Sequence, residues 1–225
     1  MLRAIVFDFD GVIANSEPLH FQAYRDVLAD EGVTLTEPDY YAWYLGFDDV
    51  GVFEALSVAA GTGWGRADIA DLVARKAVRL EALERDVSIL FPGAAAAVRR
   101  AAAAVPIAIA SGARGVEIRR VLDRENLSAC FTAIVAAEDT PVSKPAPAPY
   151  LHALALLGPA FADRLAANDC VAIEDSHWGL ESARAAGLRT VGVSQTYEPA
   201  ALTGADLIIP SLDALDLAVL SRLCS

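Results

Sequence analysis

The sequence predicts an α/β fold in which a doubly wound, Rossmann-like parallel sheet carries a small helical domain inserted after its first strand. From Pro92 onwards, short apolar runs that end in polar or turn residues alternate with helical segments. This alternation favours a parallel sheet. Between positions 16 and 88, helical spacing continues without a comparable strand. We therefore expect a core domain of residues 1–15 and 89–225 and a helical domain of residues 16–88.

The predicted strands are short runs of apolar residues. The first run, Ala4-Ile5-Val6-Phe7, is followed at once by acidic residues and by Gly11, which is typical of a buried strand that ends at a turn. Similar runs recur along the second part of the chain and complete the predicted sheet. They are 107–110, 133–135, 170–173, 190–193 and 207–209.

Apolar residues at helical spacing predict the helices, and glycines or capping residues mark their ends. The first helix runs from Pro18 to about Glu31 and is ended by Gly32, and Gly61 ends a helix that Asp48 or Asp49 caps. The other predicted helices start at Thr36 or span 66–86, 93–104, 114–124, 148–157 and 178–186, with a last helix at the C-terminus.

The composition limits the classes of partner. A formal net charge of −12 over 225 residues argues against nucleic acid and anionic membranes, because both bind basic surfaces. The sequence contains no apolar run of about 18 residues, so we expect no transmembrane helix. Its three cysteines are far apart and odd in number. They favour neither a disulfide framework nor a zinc site, and they indicate a reducing cytoplasm.

Two carboxylates, Asp8 and Asp10, follow the first predicted strand directly. Residues two apart on an extended chain point to the same side, so the two side chains would crowd together. Like charges at short range repel strongly unless a cation or a proton neutralises them. A divalent cation such as Mg²⁺, which prefers carboxylate oxygens, is the simplest solution.

Further polar residues follow other predicted strands. Ser111 follows the run 107–110, and Glu174 and Asp175 follow the run 170–173. The carboxyl ends of parallel strands lie along one edge of a sheet, so we expect these groups to meet the first pair of carboxylates. Lys144 lies in a loop between strands and is one of only two lysines among 18 basic residues, which indicates a need for a compact ammonium group.

These residues form a pattern that resembles a known family. The segments Asp8-x-Asp10-Gly11-Val12, Ser111-Gly112, Lys144-Pro145 and Glu174-Asp175-Ser176 are similar to the four signature motifs of the haloacid dehalogenase superfamily. The resemblance spans the whole chain, with the helical domain at the position of that family's small cap. Its β-phosphoglucomutase-like and phosphatase branch is indicated by Pro18-Leu19-His20 and Phe91-Pro92-Gly93.

The resemblance implies roles for the acidic residues. Asp8 would be the nucleophile that forms an aspartyl-phosphate, and Asp10 would be the general acid and then the general base. Mg²⁺ would be held by Asp8 and Asp175, with Glu174 as a further candidate ligand and Asp10 contributing its backbone carbonyl.

The resemblance also implies contacts to the phosphoryl group. The hydroxyl of Ser111 and the backbone amides of Gly112 and Ala113 would hold its oxygens, and Lys144 would offset their charge. Each of these residues has an ordinary alternative as part of a turn or a solvated loop. Glu174 and Asp175 could likewise cap the helix that follows them.

Two residues of the helical domain are candidates for contact with substrate or for cap function. The resemblance implies that His20 links cap closure to Asp10, and the alternative is a partly exposed helix histidine. Lys76 would reach the substrate from the cap, and the alternative is a solvated helix face. His177 and Trp178 follow the metal motif closely. They could contact the substrate, but helix packing is the favoured interpretation.

The reactions found in this family differ in the residues they require, and these requirements narrow the choice of reaction for this chain. A dehalogenase needs neither a metal nor a second acid, and nothing about Lys76 supports a Schiff base of the phosphonatase kind. A sugar-phosphate mutase must bind a second phosphate, yet no lysine or arginine occurs between Arg25 and Arg66, and the stretch Leu45 to Val50 is acidic. Acidic residues repel a phosphate.

We therefore predict a phosphatase that acts on small phosphorylated metabolites, in particular sugar-phosphate-like monoesters. A β-phosphoglucomutase-like mutase remains the alternative, and a non-catalytic protein that binds a phosphorylated ligand is the lesser one.

Overall fold

The computed structural model describes residues 1–44, 47–85 and 87–224. The chain divides into two compact units. The first, which we call the core unit, contains Met1–Asn15 and Ile89–Ser225. The second, the helical unit, contains Ser16–Ser88.

The core unit is built on a single parallel sheet, which confirms the predicted fold class. The strand order is β3-β2-β1-β4-β5-β6. The strands are β1 Ala4–Phe7, β2 Ile107–Ala110, β3 Ala133–Val135, β4 Cys170–Glu174, β5 Arg189–Val193 and β6 Leu207–Ile209.

The helices follow the predicted spacing closely. In chain order they are α1 Glu17–Asp30, α2 Glu37–Trp43, α3 Asp49–Ala60, α4 Arg66–Glu84, α5 Ala94–Ala104, α6 Gly115–Arg124, α7 Ala148–Leu157, α8 His177–Ala185 and α9 Leu217–Leu223. Short 3₁₀ turns span Ser128–Cys130, Ala137–Asp139, Gly158–Ala160, Ala167–Asp169, Pro199–Ala201 and Leu212–Ala214. The fourth helix was predicted to reach Asp86, which lies outside the described residues, and it ends at Glu84.

The strand order places a topological switch point beside β1. The chain runs from β1 outwards to β2 and β3, and then returns to the other side of β1 to form β4, β5 and β6. Phe7 is in register with Ile109 of β2 and with Ile173 of β4. Ligands of open α/β sheets bind at the carboxyl ends of strands where the order reverses, so the residues after Phe7 and Ile173 occupy that place.

The central strands β1 and β2 are apolar at every position because helices cover both faces of the sheet. Successive side chains alternate between faces, and small residues such as Ala108 and Ala172 lie on the face that packs against Tyr150 and Leu157 of α7. All four residues of β1 and all four of β2 are fully buried. This buried sheet is a rigid support for the polar residues that follow its strands.

The helical unit has its own hydrophobic core, in which Tyr24, Tyr40 and Phe53 are buried and in ring contact. Two of its helices, α2 and α3, begin at the capping residues that the sequence predicts. Thr36 Oγ1 accepts a hydrogen bond from Asp39 N–H at 3.3 Å, and Asp48 Oδ1 accepts one from Gly51 N–H at 2.7 Å. Among the described residues, no helix is long and apolar enough to cross a membrane.

Candidate active site

Three carboxylates meet at the switch point, as the strand ends predict. Asp8 follows β1, Glu174 is the last residue of β4, and Asp175 follows it. All three are buried, and each offers an oxygen within 4.8 Å of the others. The backbone N–H of Asp8 donates to the carbonyl of Ile173 at 2.9 Å, so the sheet itself sets this spacing.

Lys144 links two of these carboxylates. Its Nζ lies 3.0 Å from Asp8 Oδ1 and 2.6 Å from Glu174 Oε1. Tyr150 of α7 donates its phenolic O–H to the same Glu174 oxygen at 2.7 Å, and Lys144 Nζ lies 5.3 Å from the centre of the Tyr150 ring. The ammonium group of Lys144, which the sequence places in a loop between strands, therefore lies beside Asp8.

Glu174 has hydrogen-bond donors at both oxygens. Besides Lys144 and Tyr150 at Oε1, the backbone N–H groups of Asp175 and Ser176 donate to Oε2 at 3.2 and 3.4 Å. Its carboxylate also lies against α8, where a Cβ at Gly179 would approach it to 2.0 Å. Glu174 is part of the acidic cluster, but its contacts make it the anchor of Lys144.

Asp175 packs against the loop that carries the first motif. Gly11 has φ +76°, and a Cβ there would lie 1.9 Å from Asp175 Oδ2. Only glycine fits this position, because it tolerates positive φ and leaves room for the carboxylate. The side chain of Thr196 lowers the pKa of Asp175, although burial raises it more strongly. The close approach of Gly11 thus fixes Asp175 beside Asp8.

The three carboxylates perturb each other strongly. Burial raises the pKa of Asp8 to about 6 against the attraction of Lys144, and the charge of Glu174 adds to the rise. Burial raises the pKa of Asp175 well above its usual value, and the charges of Asp8 and Glu174 raise it further. Burial alone would lower the pKa of Lys144, but Asp8 and Glu174 raise it. The lysine is therefore a permanent cation.

This cluster fits a divalent cation. Carboxylates that repel each other in a buried site need a positive charge between them, and hard oxygen ligands suit Mg²⁺ or a similar ion. Asp8 Oδ1 is a buried oxygen whose partner is the ammonium group of Lys144, an ion pair at 3.0 Å without hydrogen-bond geometry. The residues present, Asp8 and Asp175 first among them, match the donor set of such an ion.

Ser111 lies on the other side of Asp8 because β2 is the neighbour of β1. It is buried, and its backbone N–H donates to Val135 O at 3.0 Å. Its Oγ accepts a hydrogen bond from Ala113 N–H at 3.1 Å, while Gly112 between them is exposed. The Ala113 amide is thus engaged within the turn, and phosphate binding by Ser111, Gly112 and Ala113 stays a prediction.

Asp10 lies in a tight turn directly after Asp8 and is partly exposed. Gly11 N–H donates to Ala14 O at 2.9 Å, and Ile13 N–H donates to Phe9 O at 2.8 Å. The turn therefore closes on itself around Asp10. The acid–base role of its carboxyl group and the metal-binding role of its carbonyl remain predictions.

In the helical unit, Lys76 is buried. Its side chain is 1% exposed, so the interpretation as a solvated helix residue is wrong. Its Nζ lies 2.7 Å from Asp49 Oδ1, 2.9 Å from His20 Nδ1 and 4.7 Å from the centre of the Tyr24 ring. The ammonium group is engaged within the helical unit, which counts against the predicted reach towards a substrate.

His20 is a neutral side chain in this network. Burial and the neighbouring Lys76 lower its pKa to about 3. Because Lys76 is the donor to Nδ1, the histidine proton is assigned to Nε2. His20 is therefore a fixed, uncharged hydrogen-bond donor at Nε2. Its predicted link to Asp10 stays a prediction.

The acidic stretch between α2 and α3 is less repulsive than its composition suggests. Asp49 pairs with Lys76 and accepts a hydrogen bond from Tyr24 O–H at 2.6 Å, and Asp48 caps α3. Leu45 and Gly46, which belong to the same stretch, lie outside the described residues. The argument against a second phosphate now rests on the absence of basic residues between Arg25 and Arg66.

Replacing Lys76 with Met should destabilise the helical unit by about 3 kcal/mol, because it leaves the partly buried Asp49 carboxylate without its cation. We would measure this by urea unfolding followed by tryptophan fluorescence. Arg75→Met is the matched control, since Arg75 neighbours Lys76 but forms its ion pairs at the surface. Its expected cost is below about 1 kcal/mol. Equal losses in both variants would contradict the assignment of Lys76.

His177 and Trp178, which follow Asp175, do not pack against a helix as predicted. Trp178 is 53% exposed and the His177 side chain 56% exposed, so neither is packed inside a helix interface as predicted. The cap of α8 is Ser176, whose Oγ accepts from Gly179 N–H at 3.1 Å. Glu174 and Asp175 are thus free of the capping role that was their alternative.

Tyr150, Gln195 and Thr196 contact the site residues and were missed in the sequence. Gln195 and Thr196 follow β5 in the same way that Ser111 follows β2, so the rule used for the other strand ends would have found them. Tyr150 carried no such signal, because an aromatic residue within an apolar helix is usually a core residue.

Comparison with known proteins agrees with this geometry. The family model of the haloacid dehalogenase-like hydrolases matches residues 2–187. Protein CbbY of Rhodobacter capsulatus is 33% identical over 95% of both chains. Hexitol phosphatase B of Escherichia coli is 33% identical over 85% of this chain and 83% of its own.

A crystal structure of CbbY from Rhodobacter sphaeroides with xylulose-(1,5)bisphosphate superposes with a TM-score of 0.80 at 26% identity, over 98% of this chain and 99% of its own. The fold and the match along most of the sequence therefore lead to one assignment. The chain belongs to the haloacid dehalogenase-like hydrolase family.

Proposed function

We propose that the protein is a Mg²⁺-dependent phosphatase that hydrolyses small phosphorylated metabolites, sugar-phosphate-like monoesters above all, through an aspartyl-phosphate. The observation that carries the proposal is the buried cluster of Asp8, Glu174 and Asp175 with Lys144 at the switch point of the sheet. Support comes from the relatives, one of which is named a hexitol phosphatase. In this proposal the helical unit is the cap domain.

Asp8 and Asp10 would share the covalent chemistry. A carboxylate oxygen of Asp8 forms a bond to phosphorus while the bond from phosphorus to the ester oxygen breaks, and Asp10 donates its proton to that leaving oxygen. Water then attacks the phosphorus of the aspartyl-phosphate and gives a proton to Asp10. The bond between Asp8 and phosphorus breaks, so phosphate leaves and both carboxyl groups return to their first state.

The other residues would bind and orient the phosphoryl group. Lys144, fixed by Glu174 at 2.6 Å, is a cation that can attract its oxygens without moving away from Asp8. Ser111 would donate its hydroxyl from the opposite side and Gly112 its amide. Ala113 would donate its amide on turning it away from Ser111 Oγ, to which it donates at 3.1 Å. Holding the reacting atoms in line is a large part of catalysis in phosphoryl transfer.

Mg²⁺ would be held by Asp8, Asp175 and the backbone carbonyl of Asp10. Glu174 lies within the same cluster, but with its oxygens occupied by donors it serves better as the support of Lys144. When bound, the ion supplies positive charge that offsets the phosphoryl oxygens and the three carboxylates.

We infer that the substrate carries one phosphate. The related CbbY structure holds a bisphosphate, whereas this chain has no lysine or arginine between Arg25 and Arg66, where a ligand for a second phosphate is expected from the family resemblance. Lys76 is paired with Asp49. The same absence disfavours a mutase, which must hold a second phosphate during its reaction.

The test is release of phosphate from p-nitrophenyl phosphate and from a panel of hexose, pentose and hexitol phosphates, with and without Mg²⁺. We expect turnover that requires the metal and faster hydrolysis of monophosphates than of bisphosphates. The metal-free protein and the Asp8→Asn variant are the controls. Turnover no higher than that of the variant would contradict an enzyme, and conversion of a hexose 1-phosphate to its 6-phosphate would identify a mutase.

A further inference from the structure

The turn that carries Asp8 and Asp10 is held by a residue from a distant part of the chain. The carbonyls of Gly11 and Val12 both accept hydrogen bonds from Gln195 Nε2, at 3.2 Å each. Gln195 is partly buried. These two bonds tie the turn at residues 8–14 to a segment 184 and 183 residues later in the sequence.

The segment that contains Gln195 is itself fixed to the sheet. It begins directly after β5, and the backbone N–H of Ser194 donates to Ile209 O of β6 at 3.0 Å. The next residue after Gln195, Thr196, lies near enough to Asp175 to lower the pKa of its carboxyl group, against the larger effect of burial. One short segment therefore contacts both the turn with the nucleophile and the second carboxylate of the metal cluster.

A primary amide suits this position for a chemical reason. The NH₂ group of glutamine has two N–H donors, which match the two carbonyls of Gly11 and Val12. It adds no charge beside a site that already holds three carboxylates. Glutamate would present an acceptor to two acceptors and a fourth negative charge, while methionine has the same length but no donor.

We infer that Gln195 is a positioning residue that holds the 8–14 turn so that Asp8 and Asp10 keep their reactive geometry. This inference rests on the proposed phosphatase function. Both hydrogen bonds given for the Gln195 side chain go to backbone carbonyls of the turn, so its loss should change the alignment of the carboxylates more than the affinity for substrate. A small misplacement of reacting groups is enough to cost one to two orders of magnitude in rate.

The experiment compares Gln195→Met and Gln195→Glu with the wild type. The control is Glu198→Gln, which changes an exposed residue three positions after Gln195. It should leave kcat, KM and the exchange rate unchanged. We would measure kcat and KM with p-nitrophenyl phosphate at saturating Mg²⁺, and hydrogen–deuterium exchange of the peptide that contains residues 8–14. For Gln195→Met we expect kcat about tenfold lower, KM within about twofold of the wild type, and faster exchange in that peptide, with a larger loss of kcat for Gln195→Glu.

Each outcome decides the inference. A lower kcat with faster exchange at 8–14 and a nearly constant KM supports it, whereas a wild-type kcat in both variants overturns it. A loss of activity that only follows a lower melting temperature, with unchanged exchange at 8–14, also overturns it. If the wild type itself releases no phosphate, the proposed function fails, and the exchange measurement still decides whether Gln195 holds the turn.

Discussion

The Asp8→Asn variant is expected to release phosphate at least about 10³-fold more slowly than the wild type, because an amide cannot form the covalent intermediate. The substitution keeps the shape of the side chain, so the sheet and the turn after β1 should be unchanged. Asp8 lies 3.0 Å from Lys144 and beside Asp175, whereas both oxygens of Glu174 are occupied by hydrogen-bond donors. We would measure kcat with p-nitrophenyl phosphate at saturating Mg²⁺.

Two comparisons make this result specific. Asp8→Glu keeps the negative charge but moves the carboxylate by about one bond, so it should be nearly as inactive if position matters. Asp163→Asn, which changes a largely exposed aspartate of the same unit, should be as active as the wild type. Acid quenching during turnover, followed by mass spectrometry, should find a phosphoryl group on the peptide that contains Asp8. More than a tenth of wild-type activity in Asp8→Asn would contradict the nucleophile assignment.

The sequence predicted the sheet and its edge well because both depend on local patterns. A strand such as Ala4–Phe7 is buried on both faces, so it is apolar at every position and ends abruptly at polar residues. The convergence of Asp8 with Glu174 and Asp175 then follows from the parallel order of the strands alone. Short-range chemistry was enough for these elements.

The remaining features depend on partners that are distant in the chain. Nothing near Tyr150 indicates that its hydroxyl meets Glu174, 24 residues away, and the position reads as an ordinary core aromatic. Lys76 lies between two arginines on α4 in an unremarkable charged stretch, and it is buried only because Asp49, 27 residues earlier, supplies an anion. Pairing of this kind is a property of the packed helices, and single-sequence periodicity does not contain it.

The pairing of Lys76 with Asp49 also changes how the acidic stretch bears on function. As isolated charges, Asp48 and Asp49 would repel a second phosphate through space. In the structure one is a helix cap and the other is neutralised by Lys76. The proposed preference for a monophosphate therefore depends on missing cations and less on added anions. Asp48→Asn would test this distinction, because asparagine can still cap α3 and the pair of Lys76 with Asp49 stays intact, so the selectivity for monophosphates should be unchanged.

Replacing Asp175 with Asn is expected to raise the melting temperature of the metal-free protein at pH 7.5 and to abolish its stabilisation by Mg²⁺. The raised pKa values of Asp175 and Asp8, the latter about 6, mean that the folded state binds protons more tightly than the unfolded chain. That contribution to stability is present below about pH 4 and is lost as the pH rises through the folded-state values. For Asp8 alone the loss is about 3 kcal/mol from pH 4 to above pH 6.

Asparagine removes one of the repelling charges and keeps the shape that fits against Gly11. The metal-free variant should therefore melt several degrees above the metal-free wild type at pH 7.5, since about 1 kcal/mol corresponds to 2–4 °C in a chain of this size. The difference should shrink towards pH 4, where the carboxylates are protonated. Differential scanning calorimetry across this pH range measures both effects.

Magnesium should stabilise the wild type and leave the Asp175→Asn variant almost unchanged. At a concentration of about 100 times its dissociation constant, a ligand of the folded state adds about 2.7 kcal/mol, so the wild type should gain about 5–10 °C, while Asp175→Asn should gain almost nothing. Glu181→Gln, an exposed position on the neighbouring α8, should respond like the wild type. If Asp175→Asn kept the full magnesium shift, Asp175 would not be a ligand. If instead its metal-free form melted below the wild type, repulsion among the three carboxylates would not be what limits the stability of the metal-free protein.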